Sequence, residues 1–354
     1  MTNSQSNALT TLEEFAAYGL INPEAKKQLQ PVFDQYAATI PLSLAQAVKE
    51  DKPDGPLARQ FVPSEMELIR NPAEREDPIG DKTHSPVKGI VHRYPDRVLL
   101  MPISVCAVYC RFCFRREQVG PSAGLLSASE LEAALNYVRT DTDIWEVIIT
   151  GGDPFVLSPK RIKGILKALD TIKHVSVVRF HTRVPVAKPE QITLELLEVL
   201  ESCSKSIFVA IHCNHATELT ENAAAACALL ADKGIPLLGQ SVLLNGVNDD
   251  SRVLSDLFRK MVKYRIKPYY LHHPDLAPGT AHFRVTIEKG RNLMKKLRGQ
   301  LSGLCQPTYI FDIPGGHGKV PIGPDYVTRK EEAGENDAYT ILDINGVSHT
   351  YPMS

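Results

Sequence analysis

Three cysteines, Cys106, Cys110 and Cys113, fall within eight residues at the spacing C-x3-C-x2-C. Thiolates so spaced can hold three corners of a [4Fe–4S] cubane and leave the fourth iron open to a substrate. A structural zinc site would need a second C-x2-C pair or added histidines, and no matching pair follows. Unrelated core cysteines would not cluster this tightly. Phe112, just before the third cysteine, is placed to shield a cluster or an adenine face. The remaining cysteines, Cys203, Cys213, Cys227 and Cys305, lie among apolar neighbours and read as small buried hydrophobes. Seven is an odd number, which speaks against a disulfide framework.

Two glycine-rich segments could also carry chemistry. Thr150-Gly151-Gly152-Asp153-Pro154 permits close backbone approach to a ligand, although a tight strand-to-helix turn uses the same glycines. Phe311-Asp312-Ile-Pro-Gly-Gly-His317-Gly318-Lys319 places a lysine on what reads as a mobile loop. Such a lysine can bind phosphate, form a Schiff base with an aldehyde, or simply be exposed in a turn. The segment does not match a P-loop.

These segments need a scaffold. Residues 1–90 read as a helical N-terminal region, with helix starts at Thr11-Leu-Glu-Glu14 and Asn22-Pro23-Glu24 and a turn cluster at Asp51–Pro56. From Arg97 short β-rich runs alternate with amphipathic helix patterns. The spacing predicts strands over Arg97–Ile103, Trp145–Thr150, Val175–Phe180, Ile207–Ile211, Pro236–Leu243 and Lys267–Leu271. Helices are predicted over Glu130–Arg139, Pro159–Leu169, Leu194–Glu201, Glu221–Lys233, Arg252–Tyr264 and Ile287–Leu297. Ser127 and Glu130 have capping-box spacing; Thr286 and Lys289 have a weaker form, because lysine cannot return the bond. About six strand–helix units imply an α/β fold with a partial barrel, whose chemistry belongs at the carboxyl ends of the strands. Residues 91–330 would form this barrel, and 331–354 a short C-terminal tail.

Bulk composition narrows the functional class. The chain has 354 residues and a formal net charge of −1, with no Lys/Arg block of the kind that binds nucleic acid. Its longest apolar runs are strand-sized, too short to span a bilayer. The N-terminus has no basic stretch leading into an apolar one, so a cytoplasmic location without a membrane partner is expected.

Taken together, the region from about residue 88 to 330 resembles the lysine 2,3-aminomutase family of radical S-adenosylmethionine enzymes. The match is carried by His92-Arg-Tyr-Pro-Asp-Arg97, the cysteine loop with Arg115-Arg116, Thr150–Asp153, Thr182-Arg-Val-Pro185 and the run Gln240–Asp249. Lys267-Pro-Tyr-Tyr270, Asp275 and Pro314–Lys319 complete it. The resemblance implies a partial (βα)6 radical-SAM barrel with three cofactors: a [4Fe–4S] cluster on Cys106, Cys110 and Cys113, S-adenosylmethionine, and pyridoxal 5′-phosphate. One-electron cleavage of the sulfonium would release a 5′-deoxyadenosyl radical, and Lys319 would form the Schiff base with the pyridoxal. Gly151, Gly152 and Asp153 match the element that binds the methionyl amino group. Arg93, Tyr94 and Arg97 match positions near pyridoxal and its phosphate. Asn214 and Gln240 match positions lining the S-adenosylmethionine and pyridoxal sites.

For the substrate, Arg115 matches the family's carboxylate clamp, where a planar guanidinium makes a bidentate contact. Asp275 and Asp312 match the two aspartates that hold the ε-ammonium of lysine. The reaction implied is L-lysine to β-lysine, an isomerisation. The alternatives are the branch that makes β-lysine for elongation factor P, in which the second aspartate is not kept, or an aminomutase of another amino acid. A non-catalytic iron–sulfur or zinc protein is the reading from a different class. His272, His273 and His317 are assigned no ligand role. Asp250 stands where longer relatives have a zinc-ligating cysteine, and residues Tyr339–Pro352 contain none, so no structural zinc is expected. The remaining expected partners are a reducing donor such as flavodoxin or ferredoxin and a second copy of the chain.

Overall fold

A computed structural model describes residues 7–120, 124–330 and 338–352. Near the N-terminus a two-residue strand pair, β1 (Ala8–Leu9) and β2 (Ile40–Pro41), ties together four helices: α1 (Leu12–Tyr18), α2 (Lys26–Gln35), α3 (Leu42–Glu50) and α4 (Pro56–Phe61). Thr11 and Glu14 form a capping box at α1. The helices enclose their own apolar cluster around Phe15, Val32, Ile40 and Phe61. Val108 of the cysteine loop also packs into that cluster. The N-terminal helices therefore cover the loop rather than standing apart from it.

The main sheet has nine strands: β3 (Ile90–Tyr94), β4 (Arg97–Ile103), β5 (Glu146–Gly151), β6 (Val177–Thr182), β7 (Ser206–His212), β8 (Leu237–Val242), β9 (Ile266–His272), β10 (Thr308–Asp312) and β11 (Lys319–Pro321). Neighbours pair in sequence order, and β4 to β10 are all parallel. The crossovers contain α5 (Ala128–Thr140), α6 (Pro159–Asp170), the short α7 (Val184–Ala187) with α8 (Leu194–Glu201), α9 (Glu221–Asp232), α10 (Ser251–Lys263) and α11 (Ile287–Arg298). Each of the six predicted strands and six predicted helices overlaps an observed one, with ends differing by at most two residues.

The barrel core explains this legibility. The apolar residues of each amphipathic helix, such as Ile162, Ile165, Leu166 and Leu169 of α6, are buried against the strands. Ser127–Glu130 closes a full capping box, whereas Thr286 caps α11 with no return bond from Lys289. Asp250 caps α10, accepting from the backbone N–H groups of Arg252 and Val253.

Two features differ from the expectation. The parallel sheet has a seventh strand, β10, whose Phe311-Asp312 end runs straight into the Pro314-Gly315-Gly316 turn and so reads as loop in the sequence. The lysine is also not on a free loop. β10 turns through a hairpin into β11, and the antiparallel register sets Lys319 directly opposite Asp312. Gly315, Gly316 and Gly318 take positive φ in this hairpin, which side chains rarely tolerate. Beyond it, β12 (Val327–Lys330), β13 (Ala338–Leu342) and β14 (Ser348–Pro352) form an antiparallel meander. No helix among the described residues is long and apolar enough to cross a membrane.

Candidate active site

The carboxyl ends of the parallel strands converge on a cavity of about 490 Å³. The cysteine loop follows β4, the Gly-Gly-Asp turn follows β5 and Arg183 follows β6. Gln240 lies in β8, His272 and Asp275 at and after β9, and Asp312 ends β10. The barrel rule thus accounts for where the sequence motifs meet.

The cysteine loop is anchored from outside the barrel. Arg111 is buried and makes a bidentate contact with Glu67, with Nε–Oε1 2.9 Å and Nη2–Oε2 2.6 Å, while Nη1 donates to the Ala37 carbonyl. Arg116 reaches the same carboxylate and lies 3.6 Å over the Tyr36 ring. Burial pushes the Glu67 carboxyl up, but the two guanidinium groups outweigh it and hold it ionised below its ordinary value. Removing Glu67 would strand both cations, a change of the kind that costs about 3–5 kcal/mol.

Burial raises all three cysteine thiols, Cys113 to about 11; Asp153 and the other two cysteines add to it at Cys106 and Cys110 adds to it at Cys113, whereas at Cys110 the Arg183 charge works against burial, so each would become a ligand only where a cation displaces its proton. No three His, Cys, Asp or Glu side chains among the described residues converge on one point, as a mononuclear ion requires. A cubane instead takes each thiolate on a different iron, so the three-cysteine donor set fits a cluster.

The Gly-Gly-Asp turn packs against this loop. A Cβ on Gly151 would lie 2.4 Å from the Ile103 carbonyl oxygen, and one on Gly152 2.3 Å from that of Val105. Gly152 and Asp153 donate their N–H groups to these same carbonyls. The glycines are therefore required by backbone-to-backbone approach. The Asp153 carboxylate is turned inward, accepting from Thr182 Oγ1 at 2.6 Å and from the N–H groups of Phe155 and Arg183. Asn214 is fully buried, with its amide bonded to Gln60 Oε1 and the Val242 N–H. Gln240 lines the cavity.

On the opposite wall Lys319 Nζ contacts Asp312, and its backbone N–H donates to Tyr94 Oη at 2.8 Å. The Arg97 guanidinium stacks 3.9 Å over the Tyr94 ring. Burial raises the Asp312 carboxyl, but the His272 hydrogen bond and the Lys319 charge prevail, holding it at about 2. Asp275 lines the same cavity, where burial and the nearby Asp312 charge push it up to about 7. Arg93 Nε, His181 Nε2 and His212 Nε2 are buried without partners, and all three residues line the cavity. Cationic Arg93 and Arg97, the lysine amine and these orphaned atoms fit an anionic aldehyde cofactor. His272 touches Asp312 and His273 bonds Tyr309 Oη, while His317 lies in the hairpin.

The cavity holds residues that no sequence motif marks, His181 and His212 among them, and Asp81 has the clearest role. Asp81, buried on the segment before β3, joins Arg115 to Arg93. Its Oδ2 accepts from Arg115 Nε at 2.8 Å and lies 2.7 Å from Nη2, while Oδ1 accepts from Arg93 Nη2 at 3.1 Å. The side edge of Arg115 is thereby held, and its Nη1–Nη2 end is left for another carboxylate. Only the sequence Asp-Pro-Ile-Gly-Asp81 hints at this turn, and it carries no partner information. Asp81→Asn is expected to raise KM for the amino acid about tenfold with kcat nearly retained, from loss of a charge-assisted anchor. Steady-state kinetics check this; an unchanged KM would show that Arg115 keeps its pose unaided.

Comparison with known proteins agrees with this geometry. The family model "Radical SAM superfamily" matches residues 100–257, and the model "Lysine-2,3-aminomutase" matches residues 294–353. The chain is 37% identical over 345 residues to an L-lysine 2,3-aminomutase of Acetoanaerobium sticklandii, covering 98% of this chain and 82% of that protein. It is 39% identical over 318 residues to an L-lysine 2,3-aminomutase of Methanococcus maripaludis, covering 90% and 73%. It is also 35% identical over 326 residues to a glutamate 2,3-aminomutase of Clostridioides difficile, covering 92% and 76%. Similarity sustained along nearly the whole chain, through both the barrel and the region after it, means that the chain belongs to the lysine 2,3-aminomutase family of radical S-adenosylmethionine enzymes.

Proposed function

We propose that this isomerase moves the α-amino group of L-lysine to the β-carbon, giving β-lysine. Relatives in the family act on lysine or on glutamate by name, so identity alone does not choose between them. The observation that carries the choice is the pair of carboxylates, Asp275 and Asp312, in one cavity. With Asp312 ionised and Asp275 ionised above about pH 7, two anions there suit the ε-ammonium of lysine and repel the γ-carboxylate of glutamate.

When bound, the cluster and S-adenosylmethionine supply one-electron hydrogen abstraction, and pyridoxal phosphate supplies the π-system that carries the migrating nitrogen. The chain's residues do the positioning. Cys106, Cys110 and Cys113 hold the cluster, and Gly151, Gly152 and Gln240 shape the S-adenosylmethionine side. Asp153 and Asn214 hold that side's backbone in place. Lys319 holds the pyridoxal, with Arg93, Tyr94 and Arg97 toward its phosphate. Arg115 takes the substrate carboxylate end-on, and its place on the cysteine loop brings the reacting carbon to the cluster side. A low-potential one-electron donor such as a flavodoxin or ferredoxin would supply the electron.

The test is anaerobic incubation with S-adenosylmethionine, pyridoxal phosphate, a reductant and single amino acids. β-Lysine is the expected product. Turnover of glutamate or another amino acid, with lysine untouched, would sink the substrate assignment. A colourless protein holding stoichiometric zinc would sink the cluster.

A further inference from the structure

Arg183 stands just past β6, where Thr182-Arg-Val-Pro enters α7. Its Nη1 donates to Cys110 Sγ at 3.1 Å. Nη2 donates to Gln60 Oε1 at 2.8 Å and to Glu218 Oε2. The guanidinium lies 4.6 Å from the Phe61 ring centroid. Glu218 Oε1 accepts from the N–H groups of Asn214 and His215, both at 2.9 Å, and from Gln60 Nε2 at 3.1 Å. Gln60, Arg183, Asn214 and Glu218 are each no more than 5% exposed.

A buried guanidinium paired with a carboxylate is poor evidence of a stability role, because apolar side chains of the same volume often do as well. What they cannot reproduce is the cationic N–H on a cysteine sulfur. Hydrogen bonds to the sulfurs and nearby charge are among the factors that set an iron–sulfur potential. We propose that Arg183 is a positioning residue that raises the reduction potential of the cluster held by Cys110, and that Glu218 is the counter-charge moderating it. Reduction adds one electron, supplied by the external donor, and one negative charge to the cluster; no bond forms or breaks. The guanidinium favours that extra charge through the sulfur, and the carboxylate behind it opposes the effect. Gln60 and Phe61 place α4 around the guanidinium, giving the N-terminal helices a part in electron uptake. This inference rests on the three cysteines carrying the cluster.

The experiment is a redox titration of the reconstituted, S-adenosylmethionine-bound holoenzyme, followed by electron paramagnetic resonance of the reduced cluster. Presence of that signal in the unmodified protein tests the cluster reading separately. Arg183→Gln keeps an N–H and removes the charge. At fixed potential its ratio of reduced to oxidised cluster should fall about tenfold, a midpoint about 59 mV lower for one electron. Glu218→Gln removes the counter-charge and should move the midpoint upward. Opposite signs are the signature, since general loosening of the site would shift both variants alike or lower iron content alone. Unchanged midpoints, or shifts of the same sign, overturn the proposal. If Arg183→Gln retains no iron, Glu218→Gln decides: a rise supports the assignment and its absence overturns it.

Discussion

Lys319→Ala is expected to lower turnover by about 10³-fold or more, the scale of losing a residue that bonds covalently to its cofactor. The visible absorbance of lysine-bound pyridoxal phosphate should vanish with it, while iron content and the cluster spectrum persist. That pattern follows from the geometry. Lys319 begins an edge strand on the wall formed by β10, whereas the cysteines lie on the loop after β4. The substitution has a second readout. Asp312 sits at about 2 because His272 and Lys319 outweigh burial. A carboxyl depressed in the folded state contributes stability that is complete above its unfolded value of about 3.9 and is lost as pH falls through about 2. Without the Lys319 charge this window should narrow, so the variant's stability would depend less on pH below about 4. Thermal unfolding across that range measures it. Retained absorbance at full intensity would assign pyridoxal to a different lysine.

Asp275→Asn should reduce kcat/KM for lysine about 10²-fold, the scale of removing one partner from a desolvated ion pair, about 3 kcal/mol. Its pH profile is the sharper measurement. Burial and Asp312 hold the free carboxyl at about 7. Below that pH it is protonated and cannot pair with an ammonium, so kcat/KM for lysine should rise about tenfold per pH unit up to about 7 and then level. The Asn variant should lose that limb. The stability sign is the reverse of that for Asp312. A carboxyl raised in the folded state contributes stability that is present below about 3.9 and lost as pH rises through about 7. The variant should therefore resist heat better than the parent at pH 8 and no better at pH 4. An unaltered profile would show that the ε-ammonium binds elsewhere.

Much of the machine was legible in the sequence. Strand and helix periods are local properties, so the six strands and six helices of the barrel could be placed before any contact was known. The C-x3-C-x2-C loop and the Gly-Gly-Asp turn are local as well, and the barrel rule puts them at one end of the sheet, whereas Lys319 is legible only as a lysine in a glycine-rich segment. β10 is not among those six strands, because its Phe311-Asp312 end runs straight into the Pro314-Gly315-Gly316 turn and reads as loop, and the hairpin that faces Lys319 with Asp312 is hidden with it.

The fold class and the family's reaction chemistry can be read from the chain alone. The tertiary structure decided which charge meets which. Arg111, Arg115, Arg116 and Arg183 look alike on paper, yet they pair with Glu67, Asp81, Glu67 and Glu218 respectively. Their partners lie 34 to 49 residues away, and Gln60 reaches Glu218 across 158. Ion-pair choice depends on burial and on geometry set by packing between distant segments, and no periodicity records it. The same reason hid Asp81, whose carboxylate has a role only because two arginines from other segments are brought to it.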